Sequence, residues 1–205
     1  MKILFESAFT INQEIKKLIS KEALDSFSNS IYQGDNANYC ISLFHDYLID
    51  PNESNKNFLF YMGNKLINWA ENHLHRGYFK MEDVHHGSEL FLGFLPRYID
   101  LFPENIKAKE LIINVSKFIG NWDKETEDWY NYSLKNFNSW YLGSDGISER
   151  DHYKFNTADH LRFVHIALLA WKITLNQKYL DWSIDYSKQF AERIIIAKET
   201  IPVAW

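Results

Sequence analysis

The segment Leu161-Arg-Phe-Val-His-Ile-Ala-Leu-Leu-Ala-Trp171 is apolar around nearly its whole helical circumference. A helix of that kind needs neighbours on every side. The segment after it, Tyr179-Leu-Asp-Trp-Ser-Ile-Asp-Tyr-Ser-Lys-Gln-Phe190, carries one apolar stripe and one charged face. The same succession occurs earlier, where the apolar Leu90-Phe-Leu-Gly-Phe-Leu95 precedes the amphipathic Ile106-Lys-Ala-Lys-Glu-Leu-Ile-Ile-Asn-Val-Ser-Lys-Phe118. An enclosed helix followed by a half-exposed one, twice over, predicts stacked helical hairpins with an inner and an outer layer. The inner segments align at a separation of 73 residues, His86-Gly-Ser-Glu-Leu-Phe against Asp159-His-Leu-Arg-Phe-Val. Each opens on a polar cluster.

The rest of the chain fits an all-α reading. Only 8 Gly and 4 Pro interrupt 205 residues, and apolar spacings of three and four outnumber strand-like alternation. Helices are expected near 11–29, 36–49, 54–75, 86–102, 104–121, 157–175 and 177–197, with breaks at Asp50-Pro51 and Phe102-Pro103. One domain of this length holds three to four hairpins of about 40 residues each, too few for a closed ring of six. The apolar ending Ile201-Pro-Val-Ala-Trp205 reads as a chain cut from something longer, with an open edge suited to self-association.

Residues 122–156 form a long connection holding nine aromatics, from Trp122 to Phe155. An eighth helix is expected near 125–141 and a turn at Gly143-Ser-Asp-Gly146. Connections of this length are often functional. Amphipathic rings suit stacking on a surface that is both apolar and hydroxylated, so Trp129, Trp140 and Tyr141 are expected to contact substrate.

Two polar clusters can carry chemistry. Glu82-Asp-Val-His-His-Gly-Ser-Glu89 opens the first inner helix, where free N–H groups attract anions. His85 and His86 lie four and three residues before Glu89 and can share its face. Such pairs hold a divalent cation or set a histidine as a carboxylate-oriented base; Asp83 or Ser88 serving as a plain helix cap is the structural alternative. Asn156-Thr-Ala-Asp-His-Leu-Arg162 opens the second inner helix, with Asp159 in its first turn. Arg162 on an enclosed helix must meet an acid or an anionic ligand, and His165 reads as a bonded core histidine. His73 and His75 suit a helix C-terminus.

The net charge of −5 argues against general binding to a nucleic-acid backbone. No apolar run reaches the ~18–20 residues of a membrane span, and Met1-Lys-Ile-Leu-Phe-Glu is no secretory signal. Cys40, the lone cysteine, excludes an internal disulfide, and motifs for serine hydrolases, nucleotide sites and zinc proteases are missing.

Asp83-Val-His-His-Gly-Ser-Glu89, Phe155-Asn-Thr-Ala-Asp-His-Leu-Arg162 and the outer-layer Tyr179-Leu-Asp-Trp-Ser-Ile resemble the (α/α)n toroids of carbohydrate-active enzymes, over about residues 54–205. The closest resemblance is to toroidal pectate-lyase-like enzymes. It implies part of a toroid that cleaves a uronate polysaccharide by β-elimination. Glu89 with His85 or His86, and His160, would be ligands to Mn, Ni or Ca. Arg162 would be the base, with His86, Asp83 and Asp159 completing the catalytic set. A glycoside hydrolase of the same fold would use Asp83, Glu89 or Asp159 as its carboxylate pair, about 5–9.5 Å apart. A non-catalytic helical-repeat module binding glycan or peptide is the reading without chemistry.

Overall fold

The computed structural model describes residues 10, 11, 14, 34–197 and 204. The helix expected over 11–29 therefore lies largely outside the described residues. Described in full are α1 (Gly34–Ile49), α2 (Glu53–His73), α3 (Val84–Leu92), α4 (Phe94–Leu101), α5 (Ile106–Ile119), α6 (Leu161–Thr174) and α7 (Gln177–Ala197). Their starts follow capping chemistry. Asn52, Asp83 and Asn105 each accept a backbone N–H three residues on, from Asn55, His86 and Ala108.

One helix was expected over 86–102, and two are present. Pro96 is the reason: it has no N–H to donate to the carbonyl of Leu92, and its ring crowds that carbonyl. The chain breaks at Gly93 and restarts as α4. α6 packs on α7 and α5, while α3 packs on α1, α4 and α6. The contact between α3 and α6 brings both polar helix mouths together.

The all-α expectation needs correction, because the aromatic connection folds as small antiparallel sheets. β1 (Glu82–Asp83), β4 (Tyr141–Gly143) and β5 (Gly146–Ile147) form one, with Glu82 opposite Leu142 and Asp83 opposite Tyr141. β2 (Tyr130–Asn131) and β3 (Asn136–Phe137) form a hairpin where the eighth helix was expected. Asn131 Oδ1 accepts the N–H groups of Ser133 and Leu134, offering the backbone a turn in place of a helix. Lys135, at φ 53°, completes the reversal. The expected turn at 143–146 is the β4–β5 hairpin, with Gly146 at φ 124°.

Packing decides what the connection's aromatics do. Trp129 is fully buried, stacked on Phe118 at 5.2 Å, and its indole N–H donates to the carbonyl of Gly143. It is core, and the expectation that it contacts substrate is corrected. Asn156 joins the connection to α6 by accepting from the Phe137 N–H and donating to the Phe137 carbonyl, both at 2.8 Å. Among the described residues no helix is long and apolar enough to cross a membrane.

Candidate functional site

The mouth of α3 is fixed by the sheet beneath it. Pairing of β1 with β4 sets Glu82 and Asp83, and the Val84 N–H donates to the Trp140 carbonyl. Asp83, nearly buried, accepts the His86 backbone N–H on Oδ1 at 2.8 Å and meets His86 Nδ1 with Oδ2 at 2.7 Å. That side-chain bond is the main cause raising the His86 imidazole above its ordinary value. Glu82 Oε1 accepts from the Asp83 N–H and the Tyr141 hydroxyl. One donor atom each from Glu82, Asp83 and His86 lies within 4.8 Å of the others, a spacing open to a divalent cation.

The mouth of α6 opens with a 3-10 turn over Ala158–His160, capped by Thr157. His160 closes this cap from inside. The Thr157 N–H donates to its Nδ1 at 3.1 Å, and Nε2 faces the Ser139 carbonyl at 3.2 Å. Because Nδ1 accepts, the proton sits on Nε2 and the ring is neutral. Complete burial lowers its pKa to about 4. Both nitrogens are occupied, so no lone pair is left for a metal and the expected ligand role is corrected.

Across the α3–α6 contact, Arg162 reaches His85. Its Nη1 donates to the His85 carbonyl at 3.1 Å and approaches Ser88 Oγ at 3.4 Å. Its Nη2 lies 2.8 Å from His85 Nδ1 and 3.5 Å from Nε2. A donor on one in-plane lone pair would be remote from the other nitrogen, so Nη2 sits against the ring face. Asp159 Oδ1 is 3.3 Å from both His85 Nδ1 and Arg162 Nε, and Glu89 Oε1 is 3.5 Å from His85 Nε2. The imidazole is thus held between two carboxylates with a guanidinium against it. Its side chain is still 43% exposed.

Glu89 and Arg162 also line an open cleft of about 490 Å³ between α1, α3, α4 and α6, together with Arg97 and His165. His165, read as a core histidine, is exposed on this wall.

The expected residues are therefore regrouped. The metal set His85, His86, Glu89 and His160 does not assemble: His85 and Glu89 stand with Arg162 and Asp159, while His86 stands with Asp83 and Glu82. Arg162 was expected as a base. A guanidinium does not give up its proton in proteins, and this one is tied to His85, Ser88 and Asp159. Trp140 stacks on Phe155 at 5.6 Å, its indole nitrogen buried. Tyr141 is half-buried against Tyr153, and its hydroxyl donates to Glu82 Oε1. Sequence reading had passed over Ser88 as an Arg162 partner and Arg97 as a cleft residue.

Comparison with protein-family models, with curated protein sequences and with solved structures finds no match.

Proposed function

We propose that the chain is a carbohydrate-active enzyme domain that cleaves a uronate-containing polysaccharide by β-elimination. The observation that carries this reading is His85, held between Asp159 and Glu89 with Arg162 against its ring beside an open cleft. β-Elimination needs a base for the proton on C5, charge to offset the sugar carboxylate, and an acid for the leaving oxygen. His85 takes the proton on Nε2, which stands 3.5 Å from Glu89 Oε1 without a hydrogen bond to it, while its Nδ1–H donates to Asp159 Oδ1 at 3.3 Å. Asp159 and Glu89 stabilise the imidazolium that forms, as a buried carboxylate does in a histidine dyad. Arg162 orients the ring and contributes positive charge where the enolate-like charge develops. The Tyr141 hydroxyl, bonded to Glu82 beside the mouth of α3, is the acid for the leaving group in this reading. In the same reading α3–α5 and α6–α7 belong to an (α/α)n toroid, supported by the packing of α6 on α5 and α7, the amphipathic α7 and the adjoining helix mouths.

Incubation with polygalacturonate, glucuronan and alginate is expected to release unsaturated products absorbing in the ultraviolet. Reducing ends without that absorbance would support a second reading, hydrolysis by Asp159 and Glu89, which the placement of both carboxylates around one ring favours. No cleavage of any polymer would overturn both enzymatic readings in favour of a binding module.

A divalent cation recruited by this chemistry is assigned to Glu82, Asp83 and His86. Mn²⁺, Ni²⁺ or Ca²⁺ at tenfold its dissociation constant is expected to stabilise the wild-type chain by about 1.4 kcal/mol. Glu82→Gln is expected to lose that shift. A thermal midpoint unmoved by all three cations removes the metal from the reading.

A further inference from the structure

The two helix mouths are joined by one short run of chain, residues 137–141, and the side chains that tie α6 to it flank Asp159 in sequence. Phe137 lies in β3, where β2 takes the hydrogen bonds of one edge: the Asn138 N–H donates to the Trp129 carbonyl at 2.8 Å. The peptide groups of Phe137 face the other edge, as alternate residues of a strand do. There the Asn156 carboxamide stands in for a third strand. Its Oδ1 accepts the Phe137 N–H and its Nδ2 donates to the Phe137 carbonyl, both at 2.8 Å. Two residues along, the Ser139 carbonyl accepts the His160 Nε2–H at 3.2 Å. Asn156 is only 3% exposed, and His160 is wholly buried. Between them stands Asp159, its N–H on Thr157 Oγ1 at 3.2 Å. The same run then reaches α3, where the Trp140 carbonyl accepts the Val84 N–H at 3.1 Å and Tyr141 lies opposite Asp83.

We infer that Asn156 is a positioning residue: by holding the mouth of α6 on β3, it sets the Asp159 carboxylate against His85. Its part in the reaction rests on the reading of His85 as the base. The contact it serves, 3.3 Å from His85 Nδ1 to Asp159 Oδ1, joins residues 74 positions apart on two elements. Arg162 Nε, 3.3 Å from the same oxygen, turns the carboxylate but rides on α6 with it. Arg162 also reaches the His85 carbonyl, on a long side chain that can follow a shifted mouth. The Asn156 carboxamide is short and enclosed, so it cannot. At 3.3 Å the Asp159 bond is already at the outer end of hydrogen-bond range, and a shift of about 1 Å breaks it. Misplacements of that size, made far from the chemistry, cost up to about 10²-fold in rate.

The first readout needs no activity. Nitrogen chemical shifts of the neutral His85 ring, measured on the full chain at one alkaline pH, report which nitrogen carries the proton, and the bond to Asp159 selects Nδ1. The wild-type chain is expected to hold Nδ1–H. Asp159→Ala and Asn156→Asp are both expected to move it toward the mixture of an unrestrained histidine. Asn156→Asp keeps the acceptor for the Phe137 N–H and sets an oxygen against the Phe137 carbonyl. On polymer it is expected to lower kcat about 10–100-fold and leave KM within about twofold. In an Asp159→Ala background it should cost no more than about twofold further, because both changes remove one contact. Asn156→Gln, which keeps both bonds at a reach one methylene longer, is expected to reproduce the loss, and it serves if Asn156→Asp fails to fold. A folded variant in which His85 keeps Nδ1–H would overturn the inference, and so would losses in kcat that multiply with Asp159→Ala. A shifted tautomer in a chain that cleaves no polymer would support the positioning and overturn the elimination reading. Cleavage by the wild-type chain, with the tautomer unmoved in both Asn156 variants, would do the reverse.

Discussion

His85→Ala is expected to lower the rate of β-elimination by about 10²–10⁴-fold, the usual contribution of a positioned general base. The loss should fall on kcat, since no substrate-binding group is removed. His85 lies in the first turn of α3 with its side chain 43% exposed, so the fold should lose no more than about 0.5 kcal/mol, as for other surface substitutions. Arg162→Ala is the companion experiment. It removes the link between α6 and the His85 carbonyl and ring, and leaves Asp159 without its cation. A positioning role predicts that Arg162→Lys fails to restore the rate, because a single ammonium cannot reach the carbonyl, the ring face and Asp159 together. The pH profile should also change shape, which a purely structural arginine would not cause. Full activity in His85→Ala would remove the imidazole from the mechanism and leave Asp159 and Glu89 as the reacting pair.

The second large effect is on stability in acid. His160 is neutral, wholly buried, and lowered to about 4, against 6.5 for a free histidine. Above pH 6.5 the ring is unprotonated in both folded and unfolded chains, and its contribution is complete. Between pH 6.5 and 4 the unfolded chain takes up a proton that the folded chain refuses. Stability therefore falls by up to about 1.4 kcal/mol per pH unit, and by about 3 kcal/mol across the window. Denaturant titrations at half-unit steps from pH 7 to 4 would read this slope. His160→Gln, whose amide can replace both bonds, is expected to flatten it. Should that variant fail to fold, the imidazole resonance of His160 in the wild-type chain serves instead. Titration near 6.5 would contradict the buried cap. His86 acts in the opposite sense: its raised value gives stability present below the unfolded pKa and lost as pH rises through the folded one. Its exposure leaves that effect screened and small.

Much of the helical layout could be read from periodicity, because one turn of amphipathic sequence reports its own burial. The α7 range, 177–197, matches expectation at both ends, and Asp83 as a cap follows from local chemistry alone. Pro96 was equally legible in the chain, since its missing N–H is enough to split a helix over 86–102. The connection misled because aromatic richness has two physical meanings. The rings of Trp129 and Phe137 close a core under two small sheets, and composition cannot tell a core ring from a stacking platform. His160 shows the same limit for polar groups. A histidine at a helix mouth is a ligand, a base or a cap according to what faces its two nitrogens, and Ser139, which faces one, is 21 residues away.

The sequence by itself determined the succession of helices and the two polar mouths, although not the enclosure of α6, where Leu168, Leu169 and Trp171 stay half-exposed. Those features depend on side chains three and four residues apart, which the chain carries wherever it folds. Only the tertiary structure decided which residues share a site. Arg162 meets His85 across 77 positions, and Asp159 meets it across 74. Those meetings exist because α3 and α6 pack side by side, and local spacing has no reach over such distances.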